Sequence, residues 1–254
     1  MGPIRAGSVE FVTLLKKSTM RPKAVITGAT KGIGRAVAFK LMQEGYDIAV
    51  CSRSQKDLEG LKQELQTLYP GPEVWIRICD VSQPEQVKAW CGELSAHWQM
   101  LEILVNNAGL FYPGSVLTEP DEALPHQLGV NLYSAYHFTR CLMPLIRRNG
   151  RGHIFNLCSI ASKTVYGNGG AYTISKFAVY GFSQCLREEL KPTDVKVTAV
   201  LPGATWSDSW KDSGHDPEEM IHAEDIAELI WTCSRLSKVA VVEELVIRPQ
   251  GGDL

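Results

Sequence analysis

Tyr172 and Lys176 stand four residues apart in Tyr172-Thr173-Ile174-Ser175-Lys176, and Ser159 lies thirteen residues before the tyrosine, at the end of an apolar run. On a helix that spacing puts phenol and ammonium on one face, one turn apart, where the cation favours the ionised phenol. A phenol so assisted, with a serine hydroxyl at hand, is equipped to pass a proton to a carbonyl oxygen. Taken singly, a Tyr-x-x-x-Lys pair also arises by chance with the lysine in solvent, so the rest of the chain has to decide.

Such side chains need a scaffold, and the sequence describes one. From Lys23 onward, short β-branched runs near 23–27, 47–52, 73–79, 103–106, 153–157, 196–201 and 241–247 alternate with helix-length amphipathic stretches near 33–44, 56–69, 83–98, 121–148, 170–190 and 223–235. The fourth of these stretches is expected to break around Gly129. Strand runs such as Ile48-Ala49-Val50-Cys51 are apolar on both faces, as burial between two helical layers requires. This predicts an α/β fold: a single Rossmann-type, doubly wound parallel sheet of about seven strands with helices on both faces and a ligand crevice beyond the strand C-termini. Residues 1–21 read as a flexible arm or start-site extension and residues 22–254 as one dinucleotide-binding catalytic domain.

Directly after the first strand comes Thr27-Gly28-Ala29-Thr30-Lys31-Gly32-Ile33-Gly34, opening into a helix. Glycines at such a turn permit positive φ and bring backbone amides to a pyrophosphate at the positive end of the helix. The second strand ends Val50-Cys51-Ser52-Arg53, where a site for the ribose 2'-hydroxyl would carry an acid. Arg53, Lys31 and the Ser52 hydroxyl suit a 2'-phosphate instead, which selects NADP(H) as cofactor. Asp80, with Val81 after the third strand, either accepts from the adenine amino group or caps the helix expected from Ser82.

Bulk properties narrow the partners. A formal charge of -2 offers no general attraction to nucleic acid or to an anionic membrane, and no apolar run reaches the length of a membrane span. The seven cysteines show no C-x-x-C pair and read as reduced core residues of a cytoplasmic protein, with no metal site.

With these residues in place, the chain resembles the short-chain dehydrogenases/reductases of roughly 250 residues. The resemblance runs from Lys23 to the end and rests on the Thr27–Gly34 loop, Asn106-Asn107-Ala108-Gly109, Asn131, Ser159 with Tyr172 and Lys176, and Pro202-Gly203. It implies that Tyr172 donates the proton and that Ser159 hydrogen-bonds the carbonyl oxygen. It also implies that Lys176 holds the nicotinamide ribose and assists the tyrosine, and that Asn131 anchors a water linking Lys176 to solvent. Asn107, Ala108 and Gly109 would pack along the adenosine. The family's Pro-Gly-x-Val-x-Thr appears as Pro202-Gly203-Ala204-Thr205-Trp206-Ser207, so Thr205 replaces an aliphatic residue while Ser207 keeps the hydroxyl expected near the nicotinamide amide.

The substrate would be read by the crevice lip, residues 110–113, 160–170 and 206–220, where Phe111, Tyr112, Val165, Tyr166, Trp206 and Trp210 either enclose a flat apolar molecule or pack on one another. The tail from Val241 to Pro249 is similar to that of sepiapterin-reductase-like carbonyl reductases, which points to a ketone, diketone or pteridine-type carbonyl. The alternatives are a 3-oxoacyl-carrier-protein reductase and, in another class, a non-catalytic NADP-binding regulator; a regulator would be expected to have lost Tyr172 or Lys176. Apolar residues on more than one face of the helices around Asn131–Ile146 and Gly170–Leu190 predict a homodimer or homotetramer.

Overall fold

Alternating faces along each strand divide the hydrophobic residues between two layers. The computed structural model describes residues 21–207, 214 and 216–252. The arm expected over residues 1–21 lies, apart from Arg21, outside the described residues, as does Trp210 of the lip. The strands are β1 (Lys23–Thr27), β2 (Asp47–Ser52), β3 (Val74–Ile78), β4 (Ile103–Asn106), β5 (His153–Leu157), β6 (Lys196–Pro202) and β7 (Glu244–Ile247). The helices are α1 (Gly32–Gln43), α2 (Gln55–Leu68), α3 (Pro84–His97), α4 (Ala123–Leu128), α5 (Ser134–Arg148), α6 (Gly170–Leu190) and α7 (Ala223–Ser234). All strand pairs are parallel, in the order β3-β2-β1-β4-β5-β6-β7.

Ala24 and Ile26 of β1, with Ile48 and Val50 of β2, face a core shared with α1, α2 and α7. Val25, Ala49 and Cys51 point the other way, into a core built with α3, α5 and α6. Winding reverses between β1 and β4, so the crevice that such a sheet offers a ligand opens beyond Thr27 and Asn106. No described helix is long and apolar enough to cross a membrane.

Two elements differ from expectation. The stretch predicted to break near Gly129 stays helical: α4 passes into α5 through a π-helical turn, Gly129–Tyr133, and the Leu128, Gly129 and Tyr133 backbones keep helical angles. A glycine permits a break but does not impose one, and here the extra residue is absorbed as a bulge. The last strand begins at Glu244 rather than at 241, because the Val242 carbonyl is taken by the Thr198 hydroxyl instead of the ladder.

His153 on β5 carries a consequence for stability. Its ring is 3% exposed and stacked on Phe155 at 3.9 Å, and Nε2 lies 2.8 Å from Thr198 Oγ1. That hydroxyl gives its proton to the Val242 carbonyl, so it accepts from Nε2–H, and Nδ1 is left buried without a partner among the described residues. Burial, helped by the Lys196 charge, pushes the imidazole from 6.5 down to about 3. The neutral ring is therefore compatible with the fold above pH 6.5, and between 6.5 and about 3 only the unfolded chain takes up the proton. Stability should fall as pH drops through that window, by up to about 1.4 kcal/mol per unit. Urea unfolding at pH 7.5 and 5.0 should show wild type losing about 2 kcal/mol more than His153→Gln; equal losses would remove His153 as the source.

Candidate active site

The phosphate cradle is shaped by what its glycines leave out. Gly28 and Gly32 have φ of +66° and +53°, in the left-handed region. A Cβ on Gly34 would stand 2.4 Å from Asn107 Nδ2 and 2.5 Å from the Gly28 carbonyl. The space is closed because Asn107 locks the loop to β4: Nδ2 donates to the Thr27 and Gly28 carbonyls at 2.9 and 3.0 Å. Thr27 Oγ1 accepts from the Asn107 and Ala108 amides at 3.0 and 2.9 Å. α1 then starts after Lys31 with no side-chain cap and no acid in its first turn. Its orphan N–H groups and positive dipole end fit an anion such as a pyrophosphate. Ser207 comes round from beyond β6 to lie beside this loop, its Cβ 3.6 Å from where Gly32 would carry one.

The ends of β2 and β3 sit side by side, with Cys79 N donating to the Ser52 carbonyl at 3.0 Å. This brings Ser52 and Arg53 next to Asp80. Arg53 is exposed and makes no ion pair with any described residue, and no acid ends β2. Asp80 Oδ1 accepts from the Ser82 amide and hydroxyl at 3.0 and 2.8 Å, closing a turn. It does not cap α3, which starts later, at Pro84: a proline at the first helical position dispenses with one donor. Thr30 lines the loop half-buried, whereas the side chains of Ile33 and Val81 pack against the two cores. Thr205 is 8% exposed and donates to the Gly203 carbonyl at 3.0 Å, so its hydroxyl proton is committed and only its acceptor lone pairs remain. Gly203, after Pro202, is held close: a Cβ there would meet Pro249 at 3.1 Å.

At the far end of the crevice, α6 carries Tyr172 half-buried and Lys176 at 6% exposure. Lys176 Nζ donates to the Leu157 carbonyl at the end of β5, 2.8 Å away, and lies 5.8 Å from the centre of the Tyr172 ring. Two residues past Leu157, Ser159 opens a one-turn 3-10 helix, Ile160–Ser162, as a capping box. Its Oγ accepts from the Ala161 amide at 3.1 Å, and Ser162 Oγ donates to the Lys176 carbonyl at 2.9 Å. Both ties fix Ser159 relative to α6.

The π-helical turn aims Asn131 at the same place. Asn131 accepts from Leu110 N at 2.8 Å and donates to Leu110 O at 3.1 Å and Ser175 Oγ at 2.8 Å. One lone pair of Oδ1 is left. Gly109 stands between, where a Cβ would be 3.3 Å from that oxygen and 3.6 Å from Lys176 Nζ. One turn earlier, Gln127 pairs with both the amide and the carbonyl of Tyr112 at 3.3 and 3.4 Å. Phe111, between the two clamped residues, sets its ring edge-on to Tyr172 with centroids 4.8 Å apart.

The structure brings Asn107, Ala108 and Ser207 against the glycine loop, and Gly109 and Asn131 to Lys176 and, through it, Tyr172. Thr27, Gln127, Ser162 and Ser175 were not foreseen. Thr27 had a signal, a hydroxyl closing a strand just before glycine; the others act on partners remote in the chain.

A family model described as short chain dehydrogenase matches residues 22–218. The sepiapterin reductase of Chlorobaculum tepidum is 28% identical over 243 residues, 92% of this chain and 99% of that protein. An uncharacterised oxidoreductase of Staphylococcus saprophyticus is 31% identical, over 89% of this chain and 96% of its own. An alcohol dehydrogenase from Thermococcus sibiricus, solved with 5-hydroxy-NADP, superposes with a TM-score of 0.83 at 29% identity, covering 91% of this chain and 97% of that one. L-sorbose reductase from Gluconobacter frateurii, solved with NADPH and L-sorbose, gives 0.83 at 25% identity, covering 90% and 95%. A match that runs from β1 to the crevice beyond β6, on a sheet wound in this order, makes the chain a member of the short-chain dehydrogenase family.

Proposed function

We propose that the protein reduces a ketone or diketone carbonyl to an alcohol with NADPH, Tyr172 giving the proton. The observation that carries the reading is a lysine enclosed by the fold one turn from a half-buried tyrosine whose ring is set against Phe111. Burying an ammonium is costly unless its contacts use the charge, and here it has one carbonyl partner and a phenol alongside. Gly28, Gly32 and Gly34 with the start of α1 would hold the cofactor's pyrophosphate, and Arg53, Lys31 and Ser52 its 2'-phosphate. When bound, NADPH supplies the hydride.

This chain's residues then handle the oxygen and its proton. Ser159 Oγ already accepts from Ala161, which leaves its O–H to donate to the carbonyl oxygen. Tyr172 passes its proton to the same oxygen as charge develops there. Lys176 stabilises the resulting phenolate, and the remaining Oδ1 lone pair of Asn131 would hold a water through which the proton is replaced.

The lip supports an apolar substrate. Phe111 is exposed against the Tyr172 ring, Tyr112 and Val165 are exposed on the lip segments, and the Lys163 ammonium is paired with Glu244. Together with the sepiapterin reductase relative, this favours a pteridine-type or general carbonyl over an acyl chain presented by an acidic carrier protein. Exposed Tyr136, Ile174 and Phe177 on α5 and α6 support a homodimer or homotetramer, which we place in the cytoplasm.

A panel of diketones, pteridine carbonyls and 3-oxoacyl thioesters with NADPH tests the reading; no turnover of any would sink it. On the best substrate, Ser159→Ala should lower kcat by about 10² to 10³, as when an oxyanion donor is removed. If only KM rose, the serine would be a ground-state binder.

A further inference from the structure

Helix α6 begins without any capping group of its own. Its N-cap is Gly169, with no side chain, and its first turn contains no acid. The first N–H groups of a helix lack intrahelical partners, and here they find them on a segment more than fifty residues earlier. Gly170 N donates to the Gly114 carbonyl at 2.8 Å, and Ala171 N donates to Glu119 Oε2 at 3.2 Å. The same segment is fastened to the residues just before α6: Gly114 N donates to the Asn168 carbonyl at 2.9 Å and Ser115 Oγ to Asn168 Oδ1 at 3.0 Å. Asn168 adopts φ of +57° to make this turn. Glycine at 170 is needed for the approach, since a Cβ there would stand 3.0 Å from the Gly114 carbonyl and 3.1 Å from Glu119 Oε1.

Glu119 and Phe111 belong to one loop. At one end that loop is clamped by Asn131 and Gln127, which sets Phe111 against the Tyr172 ring; at the other its carboxylate holds the residue immediately before Tyr172. A carboxylate at a helix N-terminus is also favoured by the dipole. We infer that Glu119 is a positioning residue for the reaction: by capping α6 from outside, it fixes the Tyr172 hydroxyl relative to the apolar wall that seats the substrate. The inference rests on the reading of Tyr172 as proton donor.

The test compares wild type, Glu119→Ala, Glu119→Gln and Tyr172→Phe for kcat, KM and NADPH dissociation constant on the best substrate of the panel. Glu119→Gln keeps an oxygen able to accept from Ala171 N, whereas Glu119→Ala does not. Glu119→Ala should lower kcat by about 10- to 100-fold, since displacement of a reacting group by an ångström costs that order. NADPH affinity should stay within about twofold, because the cradle lies at the other end of the crevice, and Glu119→Gln should recover kcat to within about threefold. Three results would overturn the role: unchanged kcat in Glu119→Ala, a kcat loss matched by an equal loss of NADPH affinity, or no recovery in Glu119→Gln. With Tyr172→Phe lowered by about 10² or more in the same assay, such a result removes Glu119 alone. An inert wild type, or near wild-type turnover in Tyr172→Phe, removes the proton-donor reading and the inference with it.

Discussion

Tyr172→Phe is expected to leave NADPH affinity unchanged and to lower turnover by about 10² to 10⁴, the range for a positioned general acid. The substitution removes one oxygen from a ring that is held by packing, on a backbone that is itself tied. Phe111 packs edge-on to it at 4.8 Å, and the backbone of residue 172 is tied through its carbonyl to Ser175 Oγ at 2.7 Å. A phenylalanine therefore keeps the ring's place, and what is lost is the proton alone. Ser159 still offers its O–H to the carbonyl oxygen, so a residue of activity above the uncatalysed rate should persist. Cofactor affinity by fluorescence titration and single-turnover rates separate the two quantities. Near wild-type turnover would take the tyrosine out of the chemistry. Loss of NADPH affinity equal to the loss of rate would make it a binding residue.

Most of the scaffold was legible because its signals are local. A strand apolar on both faces, such as Ile48–Cys51, has only a sandwiched position available, and a glycine-rich turn between strand and helix has few other uses. Tyr172 and Lys176 were readable for the same reason, since spacing on a helix fixes their relation without reference to anything distant.

What was not legible depends on contacts that the chain closes late. The Asn107 clamp on Thr27 and Gly28 joins residues about eighty apart, and nothing local to Asn107 distinguishes it from a turn residue. The π-helical turn has no sequence pattern of its own; it is paid for by the bonds of Asn131 to Leu110 and Ser175, which exist only once α6 and the loop have docked. Asp80 read equally as adenine partner or helix cap because an acid two residues before a helix serves either purpose. Pro84 decided the second question by starting the helix without it.

Cofactor choice rests on the fewest residues and has the other large expected effect. Arg53 leaves β2 exposed and without an ion pair among the described residues, and Ser52 holds the turn that follows through its hydroxyl, 3.3 Å from Ser54 N. An arginine in that position, where no acid is present to accept from ribose hydroxyls, would suit a 2'-phosphate. With Lys31, two charge-assisted contacts at about 1.5 to 3 kcal/mol each would favour NADPH over NADH by roughly 10² to 10⁴. Solvent screening of exposed cations places the expectation at the lower end. Arg53→Asp removes a partner, repels the phosphate and supplies an acceptor for the ribose hydroxyls, so the preference should collapse or invert, chiefly through cofactor affinity. The measurement is kcat/KM with each cofactor for wild type and variant, at low and at high salt. The wild-type preference should shrink as salt rises, because the contacts are ionic and exposed. Equal use of the two cofactors by the wild type, or a ratio that Arg53→Asp leaves where it was, would make Arg53 a surface charge and move the choice of cofactor elsewhere in the crevice.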